Sequence, residues 1–371
     1  EKEIEILLWL VVGTRRCTQC VSSAASEGYK RQVPGVMSCT PRAATTASHG
    51  PSSCWSGHSG LCIPTTLVCG LIRSGGCGSS GLKAPVCRMG VWVMVTTDAD
   101  PKTPKRSQPR RIANGVMLNK PTVLKNGDWL LPVGLWRDNT NVPNVKFDAE
   151  ELEPYTIEML THDLGDERGS NVYRSTDQGK SFQRIGQVRI SGTRVDEHMI
   201  VERGDGSLWM LLRNTGGIAQ SVSTDGGRTW SDGSLYLQGR MFRNKRFFIR
   251  RLNSGALLLV RNNSPDGKRS HMTAFVSDDD GATWKGGLLL DERESSYPDG
   301  IQAEDGTLFI IYDHQRYTLN RAGKRGVGSV QIAVFSEEDV RAGKPVTDKV
   351  RLHQVVTRLQ DTDDTSGAPG K

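Results

Sequence analysis

The sequence predicts an all-β fold of propeller type, built from repeated four-stranded blades. Three observations carry this. After residue 100 helix-forming stretches are scarce, and Gly, Ser, Thr and Asp recur between short runs of Leu, Ile, Val, Trp and Phe. From Gly115 onward a unit repeats: Ser-x-Asp-x-Gly-x-Ser/Thr-aromatic starts at Ser175, Ser223 and Ser277, with spacings of 48 and 54 residues. A period near 50 suits one four-stranded blade. A second marker runs in phase with the first: a Gly turn feeding an apolar strand, at Asn126-Gly127-Asp128, Asp205-Gly206-Ser207, Ser254-Gly255-Ala256 and Asp305-Gly306-Thr307. A chain of 371 residues is long enough for one large domain of this kind.

The opening 90 residues do not fit that pattern. All eight cysteines (Cys17, Cys20, Cys39, Cys54, Cys62, Cys69, Cys77 and Cys87) fall there, while Asp, Asn and Phe are missing from it. Residues 1–90 are therefore set apart as an irregular segment, 91–345 as the propeller and 346–371 as a C-terminal strand and tail. A disulfide-stapled module or a zinc or redox site at Cys17-x-x-Cys20 is disfavoured, because no second pair has ligand spacing. The abrupt change in composition near Val91 instead suggests text translated out of frame. Back-translating Pro64 to Leu82 and reading two bases later can give a strand, a turn and a strand. Such a segment would leave the propeller incomplete at its N-terminal blade, expose a sheet edge that favours aggregation, and lower or abolish activity. Resequencing the gene tests this, since an intact frame on both strands would remove the idea.

Charge excludes little but guides the reading. The net charge is +7, yet residues 91–371 carry 39 basic and 37 acidic groups. With no basic stripe interleaved with aromatics, no nucleic-acid partner is expected. No stretch reaches the roughly 18 apolar residues of a membrane span. Ile6 to Val12 is a short apolar run behind Glu1, Glu3 and Glu5, not the basic start of a signal peptide. The first residue is not Met, so a fragment with its targeting signal elsewhere is expected.

Each element of the repeat has a physical reason. In Ser175/Asp177/Gly179/Ser181/Phe182, Ser223/Asp225/Gly227/Thr229/Trp230 and Ser277/Asp279/Gly281/Thr283/Trp284, the Asp should accept from turn amides. The Gly should take a left-handed backbone, and the aromatic ring should pack beneath. The motif is structural.

These repeats, with the text between them, resemble the Asp-boxes of the sialidase (neuraminidase) or BNR-repeat family over roughly residues 91–345. The resemblance implies a six-bladed, sialidase-like β-propeller and an exo-acting glycoside hydrolase that removes terminal sialic acid or a similar acidic sugar, with retention. It also implies a secreted or periplasmic location. Family sialidases use three arginines to grip the sugar carboxylate, a Tyr nucleophile activated by a Glu, and an Asp acid/base. The chemistry is sound: the sugar's own carboxylate would repel an anionic nucleophile, which a neutral phenol avoids, and guanidinium forks suit a carboxylate.

By resemblance, Asp196-Glu197-His198 and Arg213-Asn214 supply the activating Glu197 and one triad arginine, Arg213, with Glu202 as a rival. Arg269, in Lys268-Arg269-Ser270, is the next triad arginine, with Arg250 and Arg251 as rivals. Tyr297, in Ser296-Tyr297-Pro298-Asp299, is the nucleophile, otherwise a packed loop ring. Its hydroxyl is expected within roughly 2.6–3.2 Å of Glu197. Asp299, Asp313 and Arg316 are expected to line the same mouth, and Lys120 could add positive charge. The first triad arginine and the acid/base Asp belong to the opening blades; Tyr29-Lys30-Arg31 is only a faint match. No metal and no cofactor are expected, because His198 and His271 lack companions at ligand spacing. The competing readings are a carbohydrate-binding propeller without turnover and a lyase or hydrolase acting on another acidic glycan.

Overall fold

The computed structural model describes residues 55–57, 61–63, 66–71, 90–96, 110–114, 117–134, 165–193, 197–315 and 328–358. They fall into two compact units, one from residues up to 215 plus 219–235 and the other from 216–218 plus 236 onward.

The strands open with a two-stranded hairpin of β1 (Trp55–Gly57) and β2 (Leu61–Ile63). A three-stranded sheet follows, made of β3 (Thr66–Leu71), β4 (Gly90–Thr96) and β5 (Arg110–Asn114). In this sheet Thr66–Leu71 pairs antiparallel with Val91–Thr96, so it crosses position 90. Four complete blades come next, each a meander of four antiparallel strands in sequence order. The first holds β6 (Thr122–Val123), β7 (Trp129–Gly134), β8 (Ser170–Ser175) and β9 (Gln183–Val188). The second holds β10 (Met199–Glu202), β11 (Leu208–Arg213), β12 (Gly217–Ser223) and β13 (Ser234–Gln238). The third holds β14 (Phe248–Arg251), β15 (Leu257–Asn262), β16 (Met272–Ser277) and β17 (Lys285–Asp291). The fourth holds β18 (Ser295–Gln302), β19 (Leu308–His314), β20 (Ser329–Phe335) and β21 (Arg351–Arg358), with the short helix α1 (Glu337–Ala342) between its last two strands.

The expected six blades are thus corrected to four complete ones among the described residues. The number six came with the family resemblance, whereas the chain's own Gly turns number four. Each of those turns closes in the same way, with paired backbone bonds such as Arg203 N to Ser207 O at 2.8 Å and Gly206 N to Arg203 O at 3.1 Å. They start β7, β11, β15 and β19. The strand placed beyond residue 345 is β21, the outer strand of the fourth blade.

Second strands form the core of each blade. β7 and β11 are buried almost throughout, and Leu130, Met210, Leu212, Val172 and Ala219 pack in one apolar cluster. A continuous apolar run buried on both faces is what a strand sandwiched between blades requires.

The three Asp-boxes build one bond network three times. The Asp carboxylate accepts from the Ser two residues back (Ser175, Ser223 and Ser277 Oγ, 2.7–2.8 Å) and from the Ser or Thr four residues on. The opening Ser hydroxyl in turn accepts from the Gly amide, at 2.7–2.9 Å. Gly179 sits at φ +84°, where a Cβ would lie 2.5 Å from the Trp129 ring. Only Gly tolerates both the left-handed backbone and that approach. In the fourth blade α1 replaces the box, but the chemistry persists. Ser336 caps the helix, and Asp339 accepts from Val346 N, Thr347 N and Thr347 Oγ1 at 2.7–2.8 Å.

Candidate active site

In the first unit the pairing of β10 with β11, Met199 opposite Leu211, extends outward to bring Glu197 opposite Arg213. Arg213 Nη1 donates to Glu197 Oε2 at 2.8 Å, and the Glu197 side chain is 1% exposed. The pair is held from behind by buried Asn119, whose Nδ2 donates to the backbone oxygens of Glu197 (3.2 Å) and His198 (2.7 Å). His198 is itself buried, with Nε2 at 2.9 Å from Asn171 O. That is a structural use of a histidine. Lys120, beside Asn119, is half-buried. The rival Glu202 lies at the other end of β10, roughly 16 Å of strand away, where it accepts from Lys125 N at 2.8 Å.

In the second unit a departure from regular pairing falls at Tyr297, inside β18, which corrects its placement in a loop. β18 pairs with β19 through Ser296 opposite Asp313 and Asp299 opposite Ile311, so Tyr297 and Pro298 together face the single residue Tyr312. This is a β-bulge, a device that re-aims a side chain. Tyr297 takes φ +54°, an unusual angle for a non-Gly residue. Ser296 Oγ, donating to Asp313 Oδ1 at 2.5 Å, pins the bulge on one side. Buried Asp299 pins the other, with Oδ1 accepting from Gly300 N at 2.9 Å.

Two guanidinium groups approach the Tyr297 ring, Arg269 with its Cζ 5.7 Å from the centroid and Arg246 at 5.6 Å. Both are in cation–π range. Arg269 is brought there by the backbone, since Ser295 N donates to Arg269 O at 2.8 Å and Asn262 Nδ2 holds Ser295 O at 2.9 Å. Arg246 is a residue that sequence reasoning missed. Its signal was present in the run Arg243, Lys245, Arg246, but nothing local tied that run to Tyr297.

Of the two rivals, Arg251 goes elsewhere. Arg251 Nη1 donates to Gly255 O at 2.6 Å and its Nη2 pairs with Asp280, so it braces the turn end of its blade. Burial pushes the Arg250 guanidinium below its ordinary pKa, and the Asp299 charge partly offsets this. That offset puts the Arg250 charge within electrostatic reach of Asp299 in the bulge. Behind it, Tyr312 is buried, and burial and then the Asp291 carboxylate drive its pKa far upward. It stays a phenol, and Arg293 grips Asp291 with bonds of 2.9 and 2.7 Å. Arg316, Asp196 and Tyr29-Lys30-Arg31 lie outside the described residues. Among the described residues no group of three or more His, Cys, Asp or Glu side chains could hold a metal ion, and no helix is long and apolar enough to cross a membrane.

The model of the BNR repeat-like domain matches residues 94–310, more than half of the chain. The chain belongs to the BNR repeat-like family, and its fold is a β-propeller. No curated protein matches it. Among solved structures it is similar to the NanB sialidase of Streptococcus pneumoniae, at 16% identity and a TM-score of 0.43, covering 60% of this chain and 32% of that one. The chain thus spans about a third of that relative's length. It is also similar to the intramolecular trans-sialidase of Ruminococcus gnavus (17% identity, TM-score 0.45, 68% and 52% covered). A third similar structure is the α-L-arabinanase of Penicillium chrysogenum (16%, 0.39, 61% and 64%).

Proposed function

We propose that this chain is an exo-acting glycoside hydrolase of sialidase type, cleaving a terminal sialic acid or similar acidic sugar from a glycan. Tyr297 is the nucleophile and Glu197 the base that activates it. Arg213 and Arg269 bind the sugar carboxylate, with Asp299 and Arg316 lining the site. The observation that carries this reading is the bulge that presents Tyr297 beside two guanidinium groups. A phenol amid cations is suited to attack a carbon that bears a carboxylate, because the cations attract the substrate and favour negative charge on the phenol oxygen.

In the first step the Tyr297 oxygen bonds to the anomeric carbon, its proton passes to the Glu197 carboxylate, and the bond to the leaving oxygen breaks. Water then attacks the same carbon and gives up a proton to solvent. The tyrosyl oxygen leaves with the bonding pair and recovers its proton from Glu197, so the anomeric configuration is retained. An aryl sialoside tests this directly, since a phenolate departs without help from a general acid. Slow hydrolysis of the aryl sialoside, abolished by Tyr297→Phe, is expected. Binding of the acidic sugar without any turnover would move the chain to the carbohydrate-binding reading.

A further inference from the structure

We propose that Asn262 is the positioning residue that sets the distance between Arg269 and Tyr297, because its side-chain amide ties together the two backbone segments that carry them. The inference rests on reading the Tyr297 cluster as a substrate site. Asn262 is the last residue of β15, 2% exposed, and lies opposite Met272 of β16 in the hairpin whose loop carries Arg269. Its Nδ2 donates to Ser270 O at 3.2 Å and to Ser295 O at 2.9 Å. Ser270 follows Arg269 directly in the chain, and Ser295 stands two residues before Tyr297. The same two segments also meet through Ser295 N and Arg269 O, at 2.8 Å.

The loop between β15 and β16 closes its neck through Asn263 N to His271 O at 2.9 Å, and its tip through Gly267 N to Ser264 O at 3.1 Å. Both bonds lie within the loop. Its place against β18 is set at the backbone by Ser295 N and by the Asn262 amide. Two bonds from one planar amide hold the two segments in register, since a shift of either segment breaks one of them.

The two carbonyl acceptors decide which end of the amide faces them, because an amide oxygen there would meet two oxygens. At the other end Asn262 Oδ1 is buried and accepts no hydrogen bond among the described residues. A buried acceptor without a donor costs the fold, and an apolar side chain of similar size would fill the place without that cost. What only the amide supplies is the pair of donors. Arg-Asn also ends the second strand of the blade before, at Arg213-Asn214, where Asn214 Nδ2 donates to Ser191 O at 2.8 Å. An Asn at this place thus holds a neighbouring segment in both blades, and in the third blade the segments held are those of Arg269 and Tyr297.

The test is fluorine NMR of the full chain made with fluorotyrosine, the Tyr297 resonance being the one lost in Tyr297→Phe. Its position reports the charges beside the ring and needs no turnover. Arg269→Ala should move this resonance, and Asn262→Ala should move it in the same direction. In the Arg269→Ala background Asn262→Ala should add little, since the two act as one unit. A folded Asn262→Ala with the wild-type resonance overturns the proposal, and so does a displacement that adds in full in the double variant.

Asn262→Asp keeps the shape and covers the case in which the alanine variant does not fold. At about pH 8 its carboxylate would face two carbonyl oxygens, whereas at about pH 5 a carboxyl kept protonated by burial donates to one of them. Compared with wild type at the same pH, the resonance should be displaced at the higher pH and return part of the way at the lower. A wild-type resonance at the higher pH, or a displacement indifferent to pH, overturns the proposal. On an aryl sialoside Asn262→Ala should raise KM about tenfold, as losing a hydrogen bond does, and an unchanged KM counts against it equally. Coupled resonances without any turnover by the wild-type chain would sink the hydrolase reading and leave this placement standing. Turnover with an unmoved Tyr297 resonance in Asn262→Ala would do the reverse.

Discussion

The Asp-box turns and the Tyr297 bulge use the same few residue types, Ser, Asp and an aromatic, to opposite ends. In each box a Ser hydroxyl and an Asp carboxylate close a turn of the blade on itself, and the Phe182 and Trp230 rings pack on apolar clusters beside them. At the bulge Ser296 and Asp313 also bond to each other, but across two strands, and the ring they hold faces Arg246 and Arg269. The box occurs three times at blade spacing; other strand pairs among the described residues also shift register, but the bulge at Tyr297 is the one that sets a phenol ring beside Arg246 and Arg269. The recurring box marks how a blade turn is closed, and a bulge that sets a phenol beside two cations marks a candidate site.

The contrast can be broken by substitution. Tyr297→Phe should cost the largest effect, a fall in kcat on an aryl sialoside of about a thousandfold, with little change in KM. Glu197→Gln should follow, at roughly a hundredfold, and its KM should rise as well because Arg213 loses its carboxylate partner at 2.8 Å. Steady-state kinetics on both variants checks the order. An equal loss from Asp225→Ala in an Asp-box would abolish the distinction between the two regions.

Ser296→Ala should give an intermediate result. It removes the hydrogen bond to the Asp313 carboxylate from one side of the bulge, about 1.5–3 kcal/mol, so kcat per folded molecule should drop about tenfold and the melting temperature should fall by several degrees. Gly179→Ala should show the converse, destabilising by about 1–3 kcal/mol through its left-handed backbone and the approach of Trp129, with kcat per folded molecule unchanged. Thermal melts and active-site-normalised rates separate the two.

The smallest effect is in acid. Hydrogen bonds from Ser181 and then its backbone hold Asp177 at about 2, and those from Thr283 hold Asp279 at about 2, both below the ordinary 3.8. Groups with depressed pKa contribute stability above their unfolded value, and it is lost as pH falls through the folded value. Stability measured by denaturant titration should therefore decline between about pH 4 and pH 2, and Asp177→Asn should flatten that decline. A decline unaltered in the variant would mean that the box carboxylates are not its source.

What the sequence could tell follows from this contrast. The boxes and the four Gly turns are local, closed by residues two to four apart, and so were legible with their roles. The four Gly turns coincide with the four complete blades among the described residues, whereas the number six came with the family resemblance. Glu197 and Arg213 were each singled out through the family resemblance, but their ion pair was not foreseen, although the Gly turn between their strands fixes the register that sets them opposite one another. Arg246 was not singled out, since its approach to Tyr297 depends on how β14 packs beside β18, which no local pattern encodes. Tyr297 before Pro298 suggested a loop, because Pro removes a ladder donor. A bulge resolves the conflict by leaving that residue out of the pairing.

The most direct test of the nucleophile is the mass of the peptide that carries it. The full chain is mixed with an aryl sialoside, quenched in acid during turnover, and digested. The account predicts that the peptide containing Tyr297 gains one sialosyl residue, and that fragmentation places it on the tyrosine. Turnover that continues in Tyr297→Phe, with no sugar on that peptide in the wild-type chain, would contradict it.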